Sequence, residues 1–136
     1  MDLDGLGAVN QAHGHAVGDI ALKRFVAAVQ SALRDVDVFG RQGGKEFLIL
    51  MPDTDLKGAQ VAASRVLGNV TREPLPATQG RSHLGCTLGV TEHRAGENLR
   101  LLLARAESGL SYGKAAGRGR IVALGADGTP VGAESS

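Results

Sequence analysis

The chain has no tryptophan, one cysteine and only four aromatic residues, Phe25, Phe39, Phe47 and Tyr112. Without bulky rings, a core has to be assembled from Leu, Val, Ile and Ala. The single thiol, Cys86, excludes an internal disulfide and suits a reducing cytoplasm; set in an apolar run, it reads as a small buried residue rather than a nucleophile. No apolar run approaches the roughly 20 residues of a membrane span. No basic-then-apolar leader opens the chain, so the expectation is a cytoplasmic domain with no membrane contact of its own. A net charge of +1 argues against a general nucleic-acid surface, since the basic residues cluster only between Lys114 and Arg120.

What is present is enough for one core. At 136 residues and 43% hydrophobic content the length predicts a single domain. Between Val17 and Leu33 the residues Leu22, Phe25, Val26, Val29 and Leu33 repeat at helical spacing, with Lys23, Arg24 and Gln30 on the opposite side. Pro52-Asp53-Thr54-Asp55 supplies a turn and a helix cap. A second helix follows through Ala59, Ala62, Ala63, Val66, Leu67 and Val70. Arg72 to Ser82 reads as a loop and His83 to Glu92 as a strand. A third helix begins near Asn98, weakened toward its end by Gly109 and Gly113, each by roughly 1 kcal/mol relative to Ala. Arg120 to Leu124 reads as a closing strand. The pattern predicts an α/β fold, an α+β sandwich with helices on a mainly antiparallel sheet, over residues 1–124. Residues 125–136 are small and polar and predict a flexible C-terminal tail.

Three groups of residues carry chemistry. Two apolar runs, Val36 to Phe39 and Phe47 to Met51, flank Gly43-Gly44 and predict a β-hairpin with Lys45 and Glu46 near its tip. Asp2 and Asp4, two apart, share one face of an extended segment and suit a hard cation; a frayed acidic terminus is the plainer reading. Arg34 and Asp37 lie at the exit of a helix, where a guanidinium forks onto phosphate or a guanine edge and a carboxylate accepts from guanine N1 and N2. The same pair also reads as a surface ion pair, worth about 0 to 1 kcal/mol.

The segment Gly43-Gly44-Lys45-Glu46-Phe47 resembles the signature loop of the GGDEF family, the diguanylate cyclase domains that join two GTP molecules into cyclic di-GMP. The family writes Asp or Glu where this chain has Lys45. Upstream, Arg34-x-x-Asp37 is separated from Gly43 by five residues, the spacing of the family's product-binding inhibitory site. At the start, Asp2, Asp4, Asn10, Gly14, His15, Gly18 and Asp19 fall in register with Asp-x-Asp-x-Phe-Lys-x-x-Asn and Gly-His-x-x-Gly-Asp. Thr87-Leu88-Gly89-Val90 is similar to the family's Ser-Ile-Gly-Val strand.

The resemblance implies that Asp2 and the Leu3 carbonyl hold metal, together with the third hairpin residue, here Lys45. An ammonium has three donors and no lone pair and cannot ligate Mg²⁺. The family's triphosphate-contacting lysine corresponds to Gly7, a second loss. Asn10 and Asp19 are implied to recognise guanine, and Lys114 and Arg118 to bind phosphates, although those two also read as cations finishing a helix. Arg65 is similar to the arginine that the family's second long helix adds to the inhibitory site. An apolar strand that in the family precedes the first Asp and runs through the middle of the sheet is missing, so the first strand is expected to be truncated.

These implications favour a degenerate domain that binds cyclic di-GMP at Arg34 and Asp37 and passes the signal to attached sensor or output domains or partner proteins. No cofactor is needed for that role; Mg²⁺ enters if GTP is bound. Two alternatives stay open: an active diguanylate cyclase in which Glu46 and Asp2 suffice for metal, and a nucleotide-free interaction module that forms a homodimer through its helices.

Overall fold

The computed structural model describes residues 1–131. Ten elements follow one another: β1 (Asp2–Leu3), α1 (Leu6–His13), α2 (His15–Gln30), β2 (Val38–Gly43), β3 (Glu46–Leu50), α3 (Leu56–Arg72), β4 (Cys86–Val90), α4 (Leu99–Ala115), β5 (Ile121–Leu124) and β6 (Pro130–Val131). The strands form one sheet in the order β2-β3-β1-β4-β5-β6, antiparallel throughout except for the parallel β4–β5 pair. Among the described residues no helix is long and apolar enough to cross a membrane.

Local chemistry explains most of these boundaries. The β2–β3 hairpin turns at Gly44 and Lys45, between the pair Gly43 and Glu46, and Gly44 supplies the positive φ of +45°. Helix α3 starts where the Asp55 carboxylate accepts from the Gly58 N–H, and α4 where the Asn98 side chain accepts from the Leu101 N–H. One face of α3, carrying Ala59, Ala62, Ala63, Val66 and Val70, is buried. Phe25 from α2 and Phe39 from β2 meet Phe47 of β3 with ring centroids 5.1 and 5.4 Å away, contacts worth about 0.5–1.5 kcal/mol each beyond burial.

Three expectations are revised. Gly109 and Gly113 do not merely weaken α4: a Cβ on Gly109 would lie 3.1 Å from Gly89 Cα, and one on Gly113 2.5 Å from Thr87 Cγ2. These glycines let α4 lie directly on the sheet. Second, the central place in the sheet is filled by Asp2–Leu3, which pair with Glu46 on one side and with Thr87 and Cys86 on the other. The strand is short, as expected, and beyond it the edges of β3 and β4 enclose a cavity of about 1030 Å³. Third, the chain does not leave the sheet at Leu124, because Ala123 and Leu124 pair with Val131 and Pro130. The rest of the expected tail, 132–136, lies outside the described residues.

Candidate nucleotide site

Strand β1 delivers Asp2 to the centre of the sheet. Its carboxylate is fully buried, with Lys114 Nζ from the last turn of α4 at 2.8 Å and Arg118 Nη1 at 3.8 Å. Apart from these cations neither oxygen finds a hydrogen-bond donor. The hydrogen bond with Asp2, helped by the charges of Asp2 and Glu46, raises the Lys114 pKa above the usual lysine value. Asp4 is nearer the surface. It accepts from Thr87 Oγ1 at 2.9 Å and from the Gly119 N–H at 3.1 Å, and Arg118 Nη1 stands 3.5 Å away. Arg118 and Gly119 both take φ of +64°, and that bend returns the chain over the two aspartates.

The hairpin tip belongs to the same place. Leu3 donates its N–H to the Lys45 carbonyl at 3.2 Å, and Asp2 is the cross-strand neighbour of Glu46. The structure therefore brings together Asp2, Leu3, the Lys45 backbone, Glu46, Lys114 and Arg118, drawn from three separate stretches of chain. Thr87, Asp4 and Gly119 complete the cluster; Asp4 carried a signal in its Asp-x-Asp spacing and Thr87 in the Thr87-Leu88-Gly89-Val90 strand, whereas Gly119 was not singled out. Asn10 and Asp19 sit on consecutive helices, α1 and α2. A Cβ on Gly18 would fall 1.7 Å from Asn10 Oδ1, so the glycine leaves room for that carboxamide.

A second cluster lies at the outer end of β3. Arg34 binds Asp37 through Nη2 at 2.8 Å and Nε at 3.2 Å, and its own N–H donates to the same carboxylate at 2.8 Å. The Asp37 side chain is only 2% exposed, whereas that of Arg34 is 48% exposed. The paired guanidinium lowers the Asp37 pKa below the usual carboxylate value. Arg34 Nη2 also donates to the Pro52 carbonyl at 3.1 Å and Thr54 Oγ1 at 2.9 Å. Asp37 thus acts as the anchor of the arginine, and the arginine faces outward. Beside it opens a cleft of about 450 Å³ lined by Arg34, Met51, Asp53, Thr54, Gly58 and Arg65 among others. Two guanidiniums on one concave surface suit an anionic ligand with planar groups.

One clip was invisible in the sequence. Arg105 of α4 pairs with Glu97 and donates to Thr91 Oγ1 at 2.7 Å and the Glu92 carbonyl at 2.8 Å. The Arg105 hydrogen bond brings the Glu97 carboxyl down to about 2. It ties the loop after β4 to the helix and touches neither cluster's ligating groups.

This arrangement is that of a mixed α/β nucleotidyl-cyclase-type domain with an acidic pair at the sheet centre and an arginine-rich cleft at its rim. The family profile described as "Diguanylate cyclase, GGDEF domain" matches residues 1–120, and the chain belongs to the GGDEF family. It is 34% identical over 125 residues to the response regulator PleD of Caulobacter vibrioides, covering 90% of this chain and 28% of PleD. It is also 34% identical over 126 residues to the cyclic di-GMP phosphodiesterase PdeR of Escherichia coli, covering 89% of this chain and 18% of that protein. The crystal structure of the diguanylate cyclase SiaD of Pseudomonas aeruginosa, in complex with its activator SiaC, superposes with a TM-score of 0.84 at 36% identity, over 90% of this chain and 47% of SiaD. The chain thus spans under a third of the length of the two curated relatives.

Proposed function

We propose that this domain is a cyclic di-GMP receptor whose cyclase chemistry is impaired. The carrying observation is the Arg34 fork, fixed on a buried Asp37 carboxylate and turned toward a cleft that also carries Arg65. A guanidinium already anchored on one side loses less side-chain freedom on binding phosphate or guanine than a free one. Phosphates of the ligand meet Arg34 and Arg65, and guanine edges meet the remaining donors and acceptors of the cleft.

The residues at the sheet centre do not fit a two-metal arrangement. Magnesium takes oxygen ligands. At the third position of the hairpin stands Lys45, and the Asp2 carboxylate is neutralised by Lys114 at 2.8 Å. An ammonium in place of a carboxylate changes the local charge by two units and repels the ion. GTP contacts through Asn10, Asp19, Lys114 and Arg118 are compatible with this reading as a regulatory, non-productive complex.

Titration calorimetry tests the proposal. The parent chain is expected to bind cyclic di-GMP, and Arg34→Ala to lose at least about tenfold in affinity, the loss of one charge-assisted bidentate contact. Equal affinity in both proteins would sink the Arg34 site. In a longer protein, attached domains or partner proteins would read the bound state.

A further inference from the structure

Two parts of the chain hold the Arg34 fork. Asp37 binds it from one side, and the turn after β3 binds it from the other, through the Pro52 carbonyl at 3.1 Å and Thr54 Oγ1 at 2.9 Å. The Thr54 hydroxyl proton is committed to the Pro52 carbonyl at 2.9 Å, so toward Arg34 its oxygen can only accept. The turn itself is under constraint. Asp53 takes φ of +50°, a left-handed conformation that a residue with a side chain keeps only where its surroundings impose it. What imposes it lies partly outside the turn. Glu92 Oε1, from the loop after β4, accepts from the Leu56 N–H at 2.8 Å and so ties down the first residue of α3 from 36 positions away in sequence. With Asp55 taking the Gly58 N–H at 2.8 Å, carboxylates satisfy two donors of the first turn, where the helix dipole favours negative charge. The Glu92 carbonyl accepts from Arg105 Nη2 at 2.8 Å, so the residue is pinned at its backbone while its side chain reaches α3.

Among the described residues, Arg34 and Glu92 are the two side chains from elsewhere in the chain that hydrogen-bond the stretch 52–58. We propose that Glu92 is a positioning residue for the arginine cleft. By fixing the start of α3 it keeps the Pro52 carbonyl and the Thr54 hydroxyl where they direct the Arg34 guanidinium at an anionic ligand. The same helix carries Arg65, so its seat also places the second guanidinium of the cleft. Glu92 is exposed and does not line the cleft, so it acts through Arg34 and not on the ligand. Without it, Arg34 keeps Asp37 but loses its fixed direction, and ordering the side chain is then charged against binding. This inference rests on the reading of the cleft as the cyclic di-GMP site.

The test compares the 136-residue parent with Glu92→Ala and Glu92→Gln, by calorimetry with cyclic di-GMP and by NMR of the ligand-free chain. Glutamine keeps an oxygen to accept the Leu56 N–H; alanine does not. Glu92→Ala should weaken binding and speed rotation of the Arg34 guanidinium about its Nε–Cζ bond, each by at least about threefold. Glu92→Gln should stay near the parent in both. If Glu92 only stabilised the helix, Glu92→Ala would melt at a lower temperature with affinity and Arg34 rotation unchanged, and that result would overturn the proposal. Equal weakening by alanine and glutamine would overturn it too. The NMR arm needs no ligand and so separates two failures. A parent chain that does not bind cyclic di-GMP removes the receptor reading, while faster Arg34 rotation in Glu92→Ala still upholds the brace and unchanged rotation removes it.

Discussion

Removing the Lys114 ammonium is the sharpest perturbation of the sheet centre. In Lys114→Met the fully buried Asp2 carboxylate loses the partner at 2.8 Å and keeps only Arg118 at 3.8 Å. Breaking a buried pair by deleting one member costs about 3–5 kcal/mol, because a charge is left uncompensated out of water. The Lys114 side chain is 27% exposed, so the lower end, about 3 kcal/mol, is the working figure. For a chain of 136 residues that corresponds to about 10 °C in melting temperature. Urea unfolding of the parent, Lys114→Met, Asp2→Asn and the double variant closes a thermodynamic cycle. The double variant should be closer to the parent than Lys114→Met is, since two neutral groups leave no orphan charge. Millimolar Mg²⁺ should not restore Lys114→Met but should restore Lys114→Met combined with Lys45→Glu. A Lys114→Met protein within about 0.5 kcal/mol of the parent would refute the reasoning, since that is the effect of an ordinary surface change.

Two further outcomes follow from the packing and the clip. Gly89→Ala sets a methyl 2.2 Å from the Ala106 carbonyl oxygen and 2.3 Å from the Leu110 nitrogen, so it should cost at least about 2 kcal/mol in urea unfolding; a neutral result would mean that α4 is not seated as described. Glu97 has a folded-state pKa of about 2 against the usual 4.5, so its contribution to stability is complete above about pH 4.5 and is lost as the pH falls toward 2. The difference in urea midpoint between the parent and Glu97→Gln should therefore shrink over that window, and a constant difference would contradict the assignment.

Where the sequence was legible, a repeat or a cap wrote the structure locally. The alanine and valine face of α3, the Asn98 cap of α4 and the hairpin around Gly43-Gly44 all appear at or within a few residues of their expected places. Helix α1 was not read, and it buries no side chain among Leu6–His13, so it has no apolar stripe to display. The strand β1 is two residues long and exists because β3 and β4 stand on either side of it, which no window of sequence records. The same holds for Asp2 with Lys114 and for Arg105 with Glu97 and Thr91: each is assembled by tertiary packing. Gly109 and Gly113 misled for a related reason, since helix propensity counts their cost and omits the close approach they allow. At the rim, the Arg34 and Asp37 spacing located the pair, but only the structure shows the carboxylate turned inward as an anchor.

The most direct measurement of the central claim is product analysis by chromatography after incubating the purified chain with GTP and Mg²⁺. The account predicts no cyclic di-GMP and no pyrophosphate above a protein-free control, under conditions where calorimetry registers binding of cyclic di-GMP. Steady formation of cyclic di-GMP by the chain with Lys45 in place would contradict it.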